Sequence, residues 1–231
     1  MEKLTIQKVV YSFFISFILL SDSAKSYIEV EVLSSLFYDL SRFLQRTREN
    51  LITTNIAVKL KWDGGDAGYV EINGTEYELK QCHWHSPSEH TINGRRYDLE
   101  FHMVHESKDQ RVAVIGIIYK IGRPDPFLSE MKEHIAAIAD TKEEEMVVGM
   151  VDPSHIKIGS RKYYRYIGSL TTPPCTQNVV WTVLSKVRTV SREQVTLLRD
   201  AVHDDSETNA RPLQLINGRR VKLYRPQDHQ H

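Results

Sequence analysis

The sequence predicts a mostly β, α+β chain forming a single domain with a few short helices. Three observations carry that prediction. Short alternating or continuous apolar runs recur after Asn55, Asn-Gly and Gly-Gly pairs punctuate them, and only two later stretches keep helical spacing. At 231 residues with 41% hydrophobic side chains, the chain can close one substantial core. Its 30 basic and 30 acidic side chains cancel, so no nucleic-acid or anionic-surface footprint is present.

The elements follow in order. Ala57–Trp62 and Gly68–Ile72 read as strands about a Gly64-Gly65 turn, and Glu76–Trp84 follows the Asn73-Gly74 turn. Arg111–Tyr119 is almost continuously apolar, as a strand buried on both faces should be. Phe127–Ala139 keeps helical spacing through Leu128, Met131, Ile135 and Ile138. Val179–Leu184 returns to strand. Ser191 and Gln194 form a capping box that opens a second helix, with Val195, Leu198 and Val202 inward. Asn209 to Pro212 reads as a segment of structural use.

Ahead of these, residues 1–23 read as a signal peptide. Lys3 and Lys8 precede the apolar run Val9–Leu20, which is short for a membrane span, and small residues at Ser21 and Ser23 suit cleavage. The expectation is a secretory-route protein, extracellular or apoplastic, or chloroplast by the same route, without stable membrane insertion. Asn73-Gly74-Thr75 is then a glycosylation acceptor as well as a turn. Residues 24–50 form a separate segment, with Leu33, Leu36, Phe37, Leu40 and Leu44 at helical spacing. The domain proper covers 51–226, and 227–231 is a tail.

The chemistry concentrates in Gln81–His105. Strand alternation puts His83 and His85 on one face with Gln81 beside them. Downstream, Asn93-Gly94 suits a two-residue turn, and an uninterrupted hairpin about it sets His85 opposite His102 and His83 opposite Val104. Ser86-Pro87 predicts an interruption, which leaves the register open but not the shared face. Three imidazoles without a neighbouring thiolate suit a zinc ion with one open position, a catalytic type of site. Gln81 and Glu100 lie on the same face, placed to accept imidazole N–H bonds. Cys82 and Trp84 point the other way, and Cys82 reads as a small buried hydrophobe. His105 has the opposite parity to His102.

These residues, QCHWH, SEH and LEFHMVH followed by YIGSLTTPPC, resemble the α-class carbonic anhydrases, and SPSEHTING is similar to their secreted plant branch. The resemblance runs from about Ile56 to Arg225. It implies a large, twisted, mainly antiparallel central sheet carrying a zinc site with His83, His85 and His102 as ligands. It further implies reversible hydration of carbon dioxide to bicarbonate by a zinc-bound hydroxide, with Thr171 accepting the hydroxide's hydrogen bond and donating its own to Glu89. Val104, Val114, Leu170, Val179 and Trp181 would wall the substrate pocket, and among them Val104 also follows from strand parity.

The chain departs from that pattern at its amino-terminal end. Thr54 occupies the position of the usual proton-shuttle histidine, which implies hydration dependent on added buffer. Cys175 matches a family position that bonds a cysteine absent here, so it reads as an unpaired thiol. The alternatives are an inactive or weakly active storage or binding relative, or a truncated isoform. A cupin-type metal protein fits His83, His85 and Glu89, but not a third histidine as near as His102. Oligomeric state is undetermined by the sequence.

Overall fold

The computed structural model describes residues 3–8, 57–62, 67–140, 145–202 and 208–225, with 3–8 and most of 145–150 described by backbone alone. The leader beyond Lys8, the helix expected through Leu33–Leu44, Thr54, the Gly64-Gly65 turn and the 227–231 tail lie outside the described residues.

In chain order the strands are β1 Lys3–Lys8, β2 Val58–Trp62, β3 Tyr69–Ile72, β4 Thr75–His85, β5 Thr91–Ile92, β6 Arg95–Arg96, β7 Leu99–Glu106 and β8 Val112–Ile121. Helix α1, Pro126–Asp140, precedes β9 Glu145–Met150, β10 Tyr163–Ser169, β11 Gln177–Leu184 and β12 Arg188–Val190. Helix α2, Arg192–Asp200, and β13, Lys222–Tyr224, complete the described set. Eleven strands join one sheet in the order β13-β10-β11-β8-β7-β4-β2-β1-β9, with β12 beside β8 and β3 beside β4. The pairs are antiparallel except β8 with β11 and β8 with β12.

Side-chain parity divides this sheet into two chemically different faces. Leu99, Phe101 and Met103 of β7 join Cys82, Trp84 and Leu60 in the larger core, roofed by Phe127, Leu128, Met131, Ile135 and Ile138 of α1 and by Val195 and Leu198 of α2. The opposite parity carries Val104, Val114, Ile118, Val179, Trp181 and Val183 into a second apolar cluster. Strand β8 serves both, and each of its residues from Ala113 to Tyr119 is buried, as its unbroken apolar run predicts.

Local signals hold the frame. Ser191 and Gln194 form the predicted capping box at the start of α2. Gln194 also accepts from Asp125 N at 2.8 Å and donates to Asp125 O at 2.8 Å. Asp125 Oδ1 in turn caps α1 through Phe127 N and Leu128 N, so the two helix starts are one unit. Asn73 and Asn93 have φ of 51° and 52°, and the glycine after each is also left-handed. Those values are what a two-residue hairpin turn of the right twist demands.

The second of these turns corrects the predicted register. Asn93-Gly94 closes its own small hairpin, β5 with β6, and does not join β4 to β7 directly. Residues between His85 and Leu99 leave the main ladder, with Ser88 N donating to Tyr97 O at 3.0 Å. Strands β4 and β7 therefore pair His83 with His102, His85 with Glu100 and Gln81 with Val104. The shift is two residues, so every side chain keeps its predicted face.

Candidate metal centre

His83 and His85 extend from the end of β4, and His102 meets them from β7. Their ring centroids lie 4.9, 5.2 and 4.8 Å apart. His85 and His102 are 2% and 1% exposed, and His83 is half-buried. Their facing nitrogens all fall within 4.8 Å of one another.

Each ring is oriented by a fixed acceptor. His83 Nδ1 donates to Gln81 Oε1 at 2.8 Å, and His102 Nε2 donates to Glu100 Oε1 at 2.8 Å. His85 Nδ1 donates to the main-chain oxygen of Asn209 at 2.9 Å. A ring nitrogen that donates to such an oxygen carries the proton, so in the neutral imidazole the other nitrogen keeps a lone pair. The inward atoms are thus His83 Nε2, His85 Nε2 and His102 Nδ1. His85 Nε2 is buried without any hydrogen bond, a costly state for a polar atom unless a ligand takes it up. Burial pushes the imidazoles of His83 and His85 below the usual histidine range, His83 well below it, where neighbouring His85, His102 and Lys59 add to the effect. Neutral imidazoles are the form that binds a metal, and the donor set suits zinc.

A second cluster shares His102 but has different chemistry. His90 Nδ1 and His102 Nε2 both donate to Glu100 Oε1, at 2.6 and 2.8 Å, while Glu100 Oε2 accepts from the main-chain N–H groups of Glu89 and His90. His90 Nε2 completes the chain at 2.7 Å from Tyr166 Oη. These are hydrogen-bond separations with donors matched to acceptors, so the cluster orients His102 and does not offer lone pairs to an ion. Burial alone would raise the Glu100 pKa, but His90 and His102 outweigh it and hold the carboxyl well below the carboxylate range.

The five apolar side chains named for the pocket are brought together. Val104, Val114, Leu170, Val179 and Trp181 belong to one cluster on the histidine face. The Trp181 ring stands 4.8 Å from that of His102. Its indole N–H is satisfied by Ser169 O at 2.9 Å, which leaves the ring as apolar floor. Cys82 is fully buried on the other face, and burial pushes its thiol well up. Cys175 is a free, half-buried thiol.

One implied contact is not made. Glu89 Oε1 accepts from Arg211 N at 2.7 Å, and Glu89 Oε2 is buried with no hydrogen bond, so Thr171 does not donate to Glu89. Thr171 is half-buried in the β10–β11 loop, while Glu89 Oε2 lies 4.0 Å from His102 Nδ1. Arg211 N holds Oε1, and Oε2 is the carboxylate oxygen left open.

Two functional contributions escaped sequence reasoning. Asn209 reads as a residue of structural use, yet its carbonyl orients His85. His90 carries no parity signal because it lies outside the strand ladder.

Comparison with known proteins agrees with this geometry. The family profile of the eukaryotic-type carbonic anhydrases matches residues 38–225. Alpha carbonic anhydrase 7 of Arabidopsis thaliana is 63% identical over 169 residues, covering 73% of this chain and 61% of that protein. The chain thus spans about three fifths of that relative's length. Among solved structures, dioscorin complexed with ascorbate superposes with a TM-score of 0.71 at 46% identity, over 74% of this chain and 72% of the other. The α-carbonic anhydrase of Thermovibrio ammonificans in complex with sulfanilamide gives 0.62 at 37% identity, over 71% and 70%. The chain is a member of the eukaryotic-type, or α, carbonic anhydrase family.

Proposed function

We propose that the protein is a zinc enzyme that reversibly hydrates carbon dioxide to bicarbonate and a proton. One observation carries the reading: three imidazoles whose outer nitrogens are committed to fixed acceptors, leaving three inward lone pairs beside an apolar wall. Zinc in such a site supplies the Lewis acidity that lets water act as a nucleophile near neutral pH, carbonic anhydrase being the reference case. Gln81, Asn209 and Glu100 hold the ligand rings, so little reorganisation is needed on binding. Trp181, Val114, Val179, Val104 and Leu170 offer a small apolar substrate a surface that water does not contest. The free oxygen of Glu89 is the acceptor available to fix a hydroxyl direction, and Thr171 is the residue proposed to use it.

The similarity to dioscorin favours a second reading, a binding protein of the same fold with weak or no turnover. Zinc content measured together with carbon dioxide hydration separates the two. One zinc per chain with sulfonamide-sensitive hydration is expected. Zinc without hydration would favour the binding reading, and a folded, metal-free protein would remove the enzyme reading.

The secretory route is proposed on the basic–apolar–small order of residues 1–23 and on the exposed Asn73 at a hairpin tip. Among the described residues, no helix is long and apolar enough to cross a membrane. The intact mass of the protein collected from a plant secretory host tests both cleavage after Ser23 and glycosylation. An unprocessed, unmodified mass would end the proposal.

A further inference from the structure

Glu100 is unusually confined for a carboxylate. It is fully buried, and its two oxygens take four hydrogen bonds, from His90 and His102 side chains and from the main-chain N–H groups of Glu89 and His90. Such a group cannot move by a few tenths of an ångström without lengthening several bonds together. Across the ladder, β8 presents Gly116 at the position paired with His102. A Cβ built on Gly116 falls 3.0 Å from Glu100 Oε1, tighter than about nine in ten real contacts of a Cβ atom, so the carboxylate would have to give by a few tenths of an ångström. The next atoms, Val183 Cγ2 at 3.6 Å and Trp181 Cζ3 at 3.9 Å, are at ordinary contact distance. Gly116 has no left-handed φ to explain it, and its strand neighbours Val114, Ile115, Ile117 and Ile118 are all large and apolar. The missing side chain therefore corresponds to one neighbour, the oxygen shared by His90 and His102.

We propose that Gly116 is a positioning residue for the metal centre, acting through Glu100. The bare Cα lets Glu100 Oε1 sit within reach of His102 Nε2, and that bond fixes the tautomer and tilt that aim His102 Nδ1 inward. The inference rests on the reading of His83, His85 and His102 as zinc ligands. It adds that the affinity of the site is set partly from a strand that contributes no ligand.

The test is a double-mutant cycle on the full chain with Gly116→Ala, Glu100→Ala and the double variant. The readouts are zinc release to a competing chelator and urea unfolding of the metal-free protein. Loss of an orienting partner of a ligand typically costs about 10–100-fold in metal affinity, and Gly116→Ala should fall in that range. In the Glu100→Ala background the added methyl has nothing to displace, so the second substitution should leave zinc release within about twofold, the ordinary scatter between non-interacting sites. Equal penalties in both backgrounds would overturn the inference, as would a Gly116→Ala protein that releases zinc at the wild-type rate. If Gly116→Ala alone does not fold, folding of the double variant supports the clash with Glu100, and failure of both refutes it. A wild-type protein that binds no zinc would instead defeat the metal reading itself.

Discussion

Asn209 provides the most demanding test of how the centre is held. Its side chain accepts from Ser86 N at 2.7 Å and donates to Trp84 O at 2.9 Å, while its own carbonyl receives His85 Nδ1. The pairs are more than 120 residues apart in sequence, so one side chain fastens the C-terminal region to the last turn of the ligand strand. Asn209→Ala removes both side-chain bonds and leaves the buried Ser86 N–H without its acceptor. Two bonds at about 1 kcal/mol each, plus about 1–2 kcal/mol for the stranded donor, give a loss of about 3–4 kcal/mol. That is a large share of a typical domain stability of about 5–15 kcal/mol. Urea unfolding of the metal-free protein should show a lower midpoint at unchanged slope, and zinc should be released faster because the His85 acceptor keeps only the main-chain tie of Asn209 N to Ser86 O at 3.2 Å. A loss below about 0.5 kcal/mol, the range of an inconsequential surface change, together with wild-type zinc release, would refute this account.

Two further outcomes follow from burial. His105 lies on the face away from the ligands, 2% exposed, with Nδ1 unpartnered, and burial pulls its pKa from 6.5 to about 4. The unfolded chain takes up this proton below about pH 6.5 and the folded chain only near 4, so stability falls as pH drops through that window, by about 3 kcal/mol in all. His105→Asn should remove that part of the acid dependence, and equal wild-type and variant differences between pH 7 and 4.5 would contradict it. Val104 is half-buried at the edge of the apolar wall, beside Gln81 and Val114 in register. Val104→Phe should fill the pocket and lower hydration by at least about tenfold with zinc content unchanged, a pocket-filling effect of the size that one or two methylenes exert. Unaltered kcat/KM at full zinc occupancy would exclude Val104 from the substrate wall.

The parts of the centre that strand periodicity governs were legible in the sequence. Gln81 and Glu100 each stand two residues from the histidine they orient, so alternation alone puts acceptor and ring on one face. The same parity separates Cys82 and Trp84 from the ligands and assigns Val104 to the pocket side. Where the chain leaves the ladder, parity has nothing to say. The excursion between His85 and Leu99 shifted the pairing by two residues, and it carries His90 and Glu89 into the site by turns that no period describes. The third acceptor, Asn209, is 124 residues from His85, and its contribution is a main-chain oxygen available from any residue type. Gly116 was readable only as an interruption in an apolar run, because its meaning depends on which carboxylate faces it across the sheet.

The amino terminus shows how one segment satisfies two descriptions. Lys3–Lys8 has the basic start that a leader requires, and its Leu-Thr-Ile-Gln core alternates as a strand requires. As β1 its backbone pairs Leu4 with Trp62 and Ile6 with Leu60, so its apolar positions meet the core-facing positions of β2, and it pairs with β9 on its other side. A leader needs only the order of charge, apolar run and small residues, whereas a strand needs partners that the sequence does not display. The two uses exclude each other in one molecule. Cleavage after Ser23 would remove β1, through which, among the described residues, β9 joins the sheet. Among the described residues, the outermost strand on that side would then be β2, whose Lys59 pairs with His83. Strands β7, β8 and β11 lie on the far side of β4 and are untouched by that choice. Among the three histidines, His83 is therefore the one that, within the described residues, pairs with the strand such a cleavage would expose, while His85 and His102 draw their support from Asn209, Glu100 and β8.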